Sequence, residues 1–179
     1  GSSPYRPENV TFDHRLIFDS DSVLSMSRIP KTMTVVGGGV IGCEYASLFT
    51  ALGVRVTLVE THGRLLPFVD SEIAERLRTH LEELGLHFIF NDRVAGVKTD
   101  KDQVRLELQS GKGLVSEIAL FAAGRKSNVE GLGLESIGVR LGERGLIQVN
   151  ESYQSAVPDI YAAGDVIGFP ALASTSMEQ

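Results

Sequence analysis

Tryptophan is absent, cysteine occurs once, and aromatic residues fill only 7% of the 179 positions. The single thiol, Cys43, excludes an internal disulfide and fits a reducing, cytoplasmic setting. No apolar run approaches the roughly 18 residues that a bilayer span requires, so no membrane partner is expected. The opening GSSPYRPENV lacks the basic-then-apolar pattern of a secretory leader. Basic residues are in deficit: 17 Lys and Arg against 23 Asp and Glu give a net charge of −6. That balance argues against a nucleic-acid partner, for which a basic stripe is expected. It leaves room for a phosphate-bearing ligand, because aligned N–H groups at a helix N-terminus hold an anion whatever the global charge. The histidines, His14, His62, His80 and His87, stand at no metal-ligand spacing, and no metal site is expected.

With 42% hydrophobic and 22% charged residues, the composition is that of a globular chain. Residues 1–31 carry turn formers and little periodicity, with one short helix expected after Asp19-Ser20-Asp21-Ser22. From Met33 the pattern becomes regular. A buried strand (33–36) meets Gly37-Gly38-Gly39-Val40-Ile41-Gly42, and a helix is expected over 40–52 with Ile41, Tyr45, Leu48, Phe49 and Leu52 on its apolar face. Gly53 ends that helix, and a second strand covers 55–60. Asp70 or Ser71 caps a second helix whose stripe is Ile73, Leu77, Leu81 and Leu84, with Gly85 closing it. A third strand is expected over 86–90. Three short segments, 94–98, 104–108 and near Leu114, read as an antiparallel meander with turns at 100–102 and 111–113. Residues 118–122 read as another buried strand, and 145–149 and 160–163 as two later ones. Strands and helices alternating through short links demand a parallel sheet, so the expected fold is α/β: a Rossmann-like three-layer dinucleotide-binding domain with an antiparallel β-meander insert.

The Gly-rich turn carries the most chemistry. A GxGxxG alone is weak, but here a strand precedes it, a helix opens on it, and an acid, Glu60, ends the next strand. Gly37 makes the tight turn, Gly39 lets backbone approach a pyrophosphate, and Gly42 lets helix and strand pack closely. Gly38, Val40 and Ile41 complete the phosphate-facing loop. Glu60 is either a ribose-hydroxyl acceptor, which selects NAD by repelling a 2′-phosphate, or a solvated acid at a strand end. Behind it, His62 and Arg64 either reach toward a phosphate or lie at the surface. Glu44, in the first helical turn, complements the helix dipole and also stands within reach of the nicotinamide end. Cys43 reads as a small packing residue rather than a redox thiol.

The segments VVGGGVIGCEYASLFTALGVRVTLVE, RLLPFVD, LFAAGRKSN and IYAAGDVIG, in this order, resemble the two-dinucleotide flavoprotein reductases, the family of lipoamide dehydrogenase and glutathione reductase. Within it, SSPYRP, FDSDSVLSM, GVIGCEYASLF and DVIGFPALAS resemble the transhydrogenating members more than the disulfide-using ones. The resemblance implies that Gly37, Gly39, Gly42 and Glu60 bind NAD(P)(H), with Val94 near the adenine and Gly124 closing over the cofactor. It implies that Glu44 faces the nicotinamide beside a flavin, and that Asp165 of the AAGD motif binds FAD, with Leu172 and Ala173 following along it. Residues 1–31 and 151–179 are then expected to be partial segments of an FAD domain, flanking an NAD(P)-binding domain over 32–150. A first flavin fingerprint and a C-terminal domain that forms the homo-oligomer are expected outside this sequence, so no catalytic residue is assigned here and the isolated chain is expected to be inactive. Two departures bear on specificity: Thr61 and Pro67 stand where NADP-preferring relatives carry arginines, and Val40 stands where many carry an aromatic lid.

The activity implied is hydride exchange between NADPH and NAD+ through FAD. An NADH-dependent dihydrolipoamide or disulfide reductase and a non-catalytic NAD-binding module remain as alternatives. A methyltransferase shares the Gly-rich turn but has no use for AAGD.

Overall fold

A strand that is apolar on both faces must be covered on both. Met33 and Val35 are 1% and 0% exposed, and Thr34 between them is buried with its hydroxyl donating to Ser116 Oγ at 3.0 Å. The computed structural model describes residues 1–179 and explains that pattern. In chain order its strands are β1 (Ser2–Pro4), β2 (Ile17–Asp19), β3 (Thr32–Val36), β4 (Arg55–Val59), β5 (His87–Ile89), β6 (Val94–Asp100), β7 (Gln103–Leu108), β8 (Gly113–Ser116), β9 (Ile118–Phe121) and β10 (Arg125–Ser127). Its helices are α1 (Val40–Ala51), α2 (Ser71–Glu83) and α3 (Ala173–Glu178). The chain divides into two compact units, Arg6–Gly124 and Gly1–Tyr5 with Arg125–Gln179.

In the Arg6–Gly124 unit five parallel strands run in the order β2-β9-β3-β4-β5. Side chains alternate between the two faces. Phe18, Met33, Val35, Ile118 and Leu120 pack with Cys43, Ala46 and Phe49 of α1 and Leu81 of α2. Ile17, Ala119 and Phe121 point the other way, onto Val104 and Leu106 of the meander β6-β7-β8. The layers are therefore helices, parallel sheet and meander, the α/β architecture expected. Strand β7 alternates exposed and buried residues, as a sheet covered on one face does.

Several expectations are corrected. Strand β2 lies in residues that showed little periodicity, yet Leu16, Ile17 and Phe18 are 3%, 2% and 2% exposed. Three residues are too few to display a period, and pairing with β9 decides their state. Helix α1 buries Gly42, Cys43, Ala46 and Phe49, whereas Leu48 and Leu52 are 51% and 54% exposed. Likewise α2 buries Ala74 and Leu81 and exposes Ile73 and Leu84. Small residues face the sheet where a helix approaches closely, so the expected stripes hold at Tyr45, Phe49, Leu77 and Leu81 and fail at Leu48, Leu52, Ile73 and Leu84. Asp70 caps α2, its side chain accepting from Glu72 N at 2.9 Å and Ile73 N.

In the other unit, β1 pairs antiparallel with β10. The strands expected over 145–149 and 160–163 do not form. A 3₁₀ turn at Glu143–Gly145, with positive φ at Arg144 and Gly145, breaks the first, and only isolated bridges, Leu141 with Ile147 and Gln154 with Tyr161, remain.

Asp19 ends β2 with its carboxylate fully buried. It accepts from Ser22 N at 2.7 Å, Asp21 N at 3.0 Å and Arg6 Nε at 2.7 Å, and Arg6 lies over the Phe12 ring. Burial pushes the acid's pKa up, but the Ser22 and Arg6 hydrogen bonds outweigh it and hold the carboxyl below its ordinary range. A depressed folded value means stability present above about pH 4 and lost as pH falls through the folded value. Asp19→Asn should cost about 1–3 kcal/mol at neutral pH. In urea denaturation the deficit should shrink once the medium is acid enough to protonate Asp19.

Candidate functional site

Register assembles the site. Val36 of β3 stands opposite Val59 of β4 and Phe121 of β9, so Gly37, Glu60 and Ala122 follow together at one edge of the sheet. Gly37 N donates to Val59 O at 2.9 Å, and Ala122 N to Val36 O at 2.8 Å. Chain order reverses at β3, which has β4 on one side and β9 on the other. A crevice at the carboxyl edge of such a switch point is where open α/β sheets receive ligands.

Two glycines are obligatory there. Gly37 has φ of 112°, and a Cβ on it would stand 2.5 Å from Ala122 O. A Cβ on Gly42 would stand 1.8 Å from Gly37 O, so helix and strand end could not meet. Gly39 is different: a Cβ there would meet no protein atom within 4 Å. It is the N-cap of α1 and supplies no side-chain cap. The first-turn N–H groups of α1 lack intrahelical partners, as in any helix, and the positive end of the dipole lies behind them. A helix N-terminus of this kind is complementary to an anion such as a pyrophosphate. Val40 beside it is 46% exposed, Ile41 is half-buried, and Glu44 one turn on is exposed.

Glu60 is 7% exposed. Its Oε2 accepts from Gly38 N, and its Oε1 accepts from His62 N at 2.7 Å and lies 2.6 Å from His62 Nδ1. Leu66 N donates to Gly38 O at 3.0 Å, with Leu65 fully buried beneath. The loop after β4 is thereby tied to the Gly-rich turn. Arg64 is exposed and its guanidinium donates to Pro67 O. Val94 opens β6, half-buried, and Gly124, with φ of 105°, leaves β9.

Burial pushes the Cys43 thiol up to about 11, and the charges of Glu60 and Glu44 add to the effect. It stays protonated at neutral pH, as a packing residue does. No group of three or more His, Cys, Asp or Glu side chains converges as metal ligands, and no helix is long and apolar enough to cross a membrane.

Asp165 belongs to the other unit. Ser2 Oγ donates to its Oδ2 at 2.6 Å, and Arg125 Nε donates to Ser2 Oγ at 2.7 Å. Ser2 and Arg125 were not singled out from the sequence. Their link to Asp165 spans most of the chain, and no local pattern announces it.

A model of the pyridine nucleotide-disulphide oxidoreductase family matches residues 1–179. The chain is 46% identical over all 179 residues to a soluble pyridine nucleotide transhydrogenase of Pseudomonas putida (strain GB-1), and 45% identical to one of Yersinia pestis (strain Pestoides F). It spans 39% and 38% of their lengths. Among solved structures, LpdA of Mycobacterium tuberculosis matches with a TM-score of 0.92 at 32% identity, over 100% of this chain and 39% of that one. The HOCl-induced flavoprotein disulfide reductase RclA of Escherichia coli matches with a TM-score of 0.88 at 29% identity, over 99% and 41%.

The glycine geometry separates folding from binding. Gly42→Ala should lose about 1–3 kcal/mol of stability through the forced displacement. Gly39→Ala should lose less than about 1 kcal/mol, the difference between a Gly and an Ala N-cap. Chemical denaturation of both variants against the parent chain checks the order.

Proposed function

The chain belongs to the pyridine nucleotide-disulphide oxidoreductase family, and from that premise we propose that its Arg6–Gly124 unit binds a nicotinamide dinucleotide inside a longer flavoprotein. That flavoprotein exchanges hydride between NADPH and NAD+. The observation that carries the reading is the open, side-chain-free N-cap at Gly39 standing beside Glu60 at one sheet edge. Phosphate and ribose are the two polar parts of the adenosine half, and these features are complementary to them.

In this reading the N–H groups of Gly39, Val40 and Ile41 hold the pyrophosphate, Glu60 accepts from the ribose hydroxyls, and Val94 borders the adenine. Gly124 gives the chain its turn over the cofactor, and exposed Glu44 meets the nicotinamide end. Arg64 supports its own loop through Pro67 O. Bound FAD would supply the hydride-carrying chemistry, and this chain supplies position and electrostatics. Asp165, ordered by Ser2, is assigned to that flavin.

The flavin-side segments are assigned to Gly1–Tyr5 and Arg125–Gln179, following the compact units, in place of 1–31 and 151–179. Residues 6–31 pack with the dinucleotide sheet through β2, so they belong to the nucleotide unit. The soluble transhydrogenase relatives and the lone buried thiol support a cytoplasmic setting. The longer protein is proposed to be a homo-oligomer through a domain beyond these residues.

A second reading, an NADH-dependent disulfide reductase, is favoured by one observation. The buried Glu60 carboxyl group stands where a 2′-phosphate would have to approach. Calorimetric titration of the chain with NADH and NADPH tests both. The transhydrogenase reading expects both ligands to bind, and Glu60→Ala to raise NADPH affinity about tenfold, the equivalent of roughly 1.4 kcal/mol. Binding of NADH alone, with NADPH gained only on removing Glu60, would favour the reductase. A full-length protein that binds NADH yet transfers no hydride would be a binding module.

A further inference from the structure

The loop between β5 and β6 contains a buried acid, Asp92, 7% exposed. Its Oδ1 accepts from Arg93 N at 2.9 Å and from Ser110 N at 3.2 Å, and its Oδ2 accepts from Ser110 Oγ at 2.5 Å. The Ser110 hydroxyl foremost, with these backbone N–H groups, holds the carboxyl below its ordinary range, so it is charged at neutral pH. The Asp92 N–H donates to Glu60 O at 3.3 Å, and Asn91 N beside it donates to His62 O at 3.2 Å. Asp92 is thus bonded through its backbone to the end of β4 and through its side chain to the β7–β8 turn.

Strand β6 begins two residues on. Val94 stands opposite Leu108, but the register with β7 shifts between Val94 and Gly96, so the regular ladder starts beyond that shift. Val94 is therefore placed by what flanks it: Arg93 O accepts from Gln109 N at 2.9 Å, and Asp92 grips Ser110. The turn they hold is itself closed, Leu108 N donating to Lys112 O at 2.8 Å and Gly111 N to Leu108 O at 2.9 Å. At the opposite end of the meander, Arg15 ties the β6–β7 turn, its guanidinium donating to Lys101 O and Asp102 Oδ1. The two ties act at separate ends, so releasing Asp92 loosens the Val94 end and leaves the far end held.

We propose that Asp92 is a positioning residue for the adenosine half of the dinucleotide, setting Val94 at a fixed place relative to Glu60. The inference rests on the dinucleotide-site reading above, in which Glu60 takes the ribose and Val94 borders the adenine. One nucleoside must meet both at once, although they belong to different strands. Asp92 is bonded to the first and lies two residues from the second. Base and ribose are joined by a single glycosidic bond, so a loosened Val94 weakens binding even though no contact to the ligand is deleted. The role is geometric rather than electrostatic. An amide at this position keeps its oxygen on both N–H groups and turns its nitrogen to the Ser110 hydroxyl, which accepts as readily as it donates.

The test is calorimetric titration with NADH of the parent chain, Asp92→Asn, Asp92→Ala, Val94→Ala and the double variant Asp92→Ala/Val94→Ala, each checked for folding by circular dichroism. Asp92→Ala should weaken binding roughly tenfold, and Asp92→Asn should stay within about twofold of the parent. In the double variant the two losses should fail to multiply, because Asp92 acts through a contact that Val94→Ala has already removed. Ser110→Ala deletes one hydroxyl at an exposed turn. It should weaken binding about threefold, and it carries the test if Asp92→Ala does not fold. Parent-strength binding by the Ala variants at positions 92 and 110, an Asn variant as weak as Ala, or losses that multiply in full would each overturn the positioning role while leaving the dinucleotide site intact. Failure of the parent chain to bind NADH would overturn the site reading and this inference together.

Discussion

The approach of α1 to the end of β3 constrains the rest of the Arg6–Gly124 unit. A Cβ on Gly42 would overlap Gly37 O, so the helix sits against the strand at backbone distance. Everything on its inner face must be small or flat, which is why Cys43 and Ala46 are buried there while Leu48 and Leu52 face outward. The same closeness brings the N-terminus of α1 to the carboxyl edge of the sheet. Packing and site are one geometric solution.

Glu60 extends that solution to the neighbouring strand. Register sets it level with Gly37, and its carboxylate reaches back to Gly38 N. A buried carboxylate is tolerated only when its oxygens are satisfied, and here backbone N–H groups and an imidazole satisfy them. The acid therefore shapes this edge of the sheet. It locks the Gly-rich turn and orients the loop through His62, and its charge contributes to keeping Cys43 protonated.

Much of this was legible in the chain. The strand, Gly-rich turn, helix, strand and terminal acid read directly, because each glycine answers a local backbone need and an acid at a strand tip is a positional signal. The meander read equally well, since β7 displays a period of two and polar turns bracket it. The Asp70 cap and the glycines closing both helices were equally plain. Less legible were β1, β2 and β10, each three residues long, whose state depends on a partner strand far along the chain. The inner faces of α1 and α2 were read correctly at Phe49 and Leu81 but not at Leu48, Leu52, Ile73 and Leu84, because hydrophobicity favours large residues, whereas close packing selects small ones. Residues 145–149 and 160–163 have strand composition, but positive φ at Arg144 and Gly145 and turns around Tyr153 keep them from extending.

The sequence by itself determined the parallel α/β arrangement, the Gly-rich turn and the family to which the chain belongs. These depend on local backbone needs and on the order of elements, both of which a linear pattern records. Tertiary structure alone decided that Ile17–Asp19 join the parallel sheet, that Ser2 links Arg125 to Asp165, and that His62 lies on Glu60. Each of these is a contact between side chains or strands whose meeting depends on register and rotamer. No spacing along the chain encodes a distance that only the folded sheet creates.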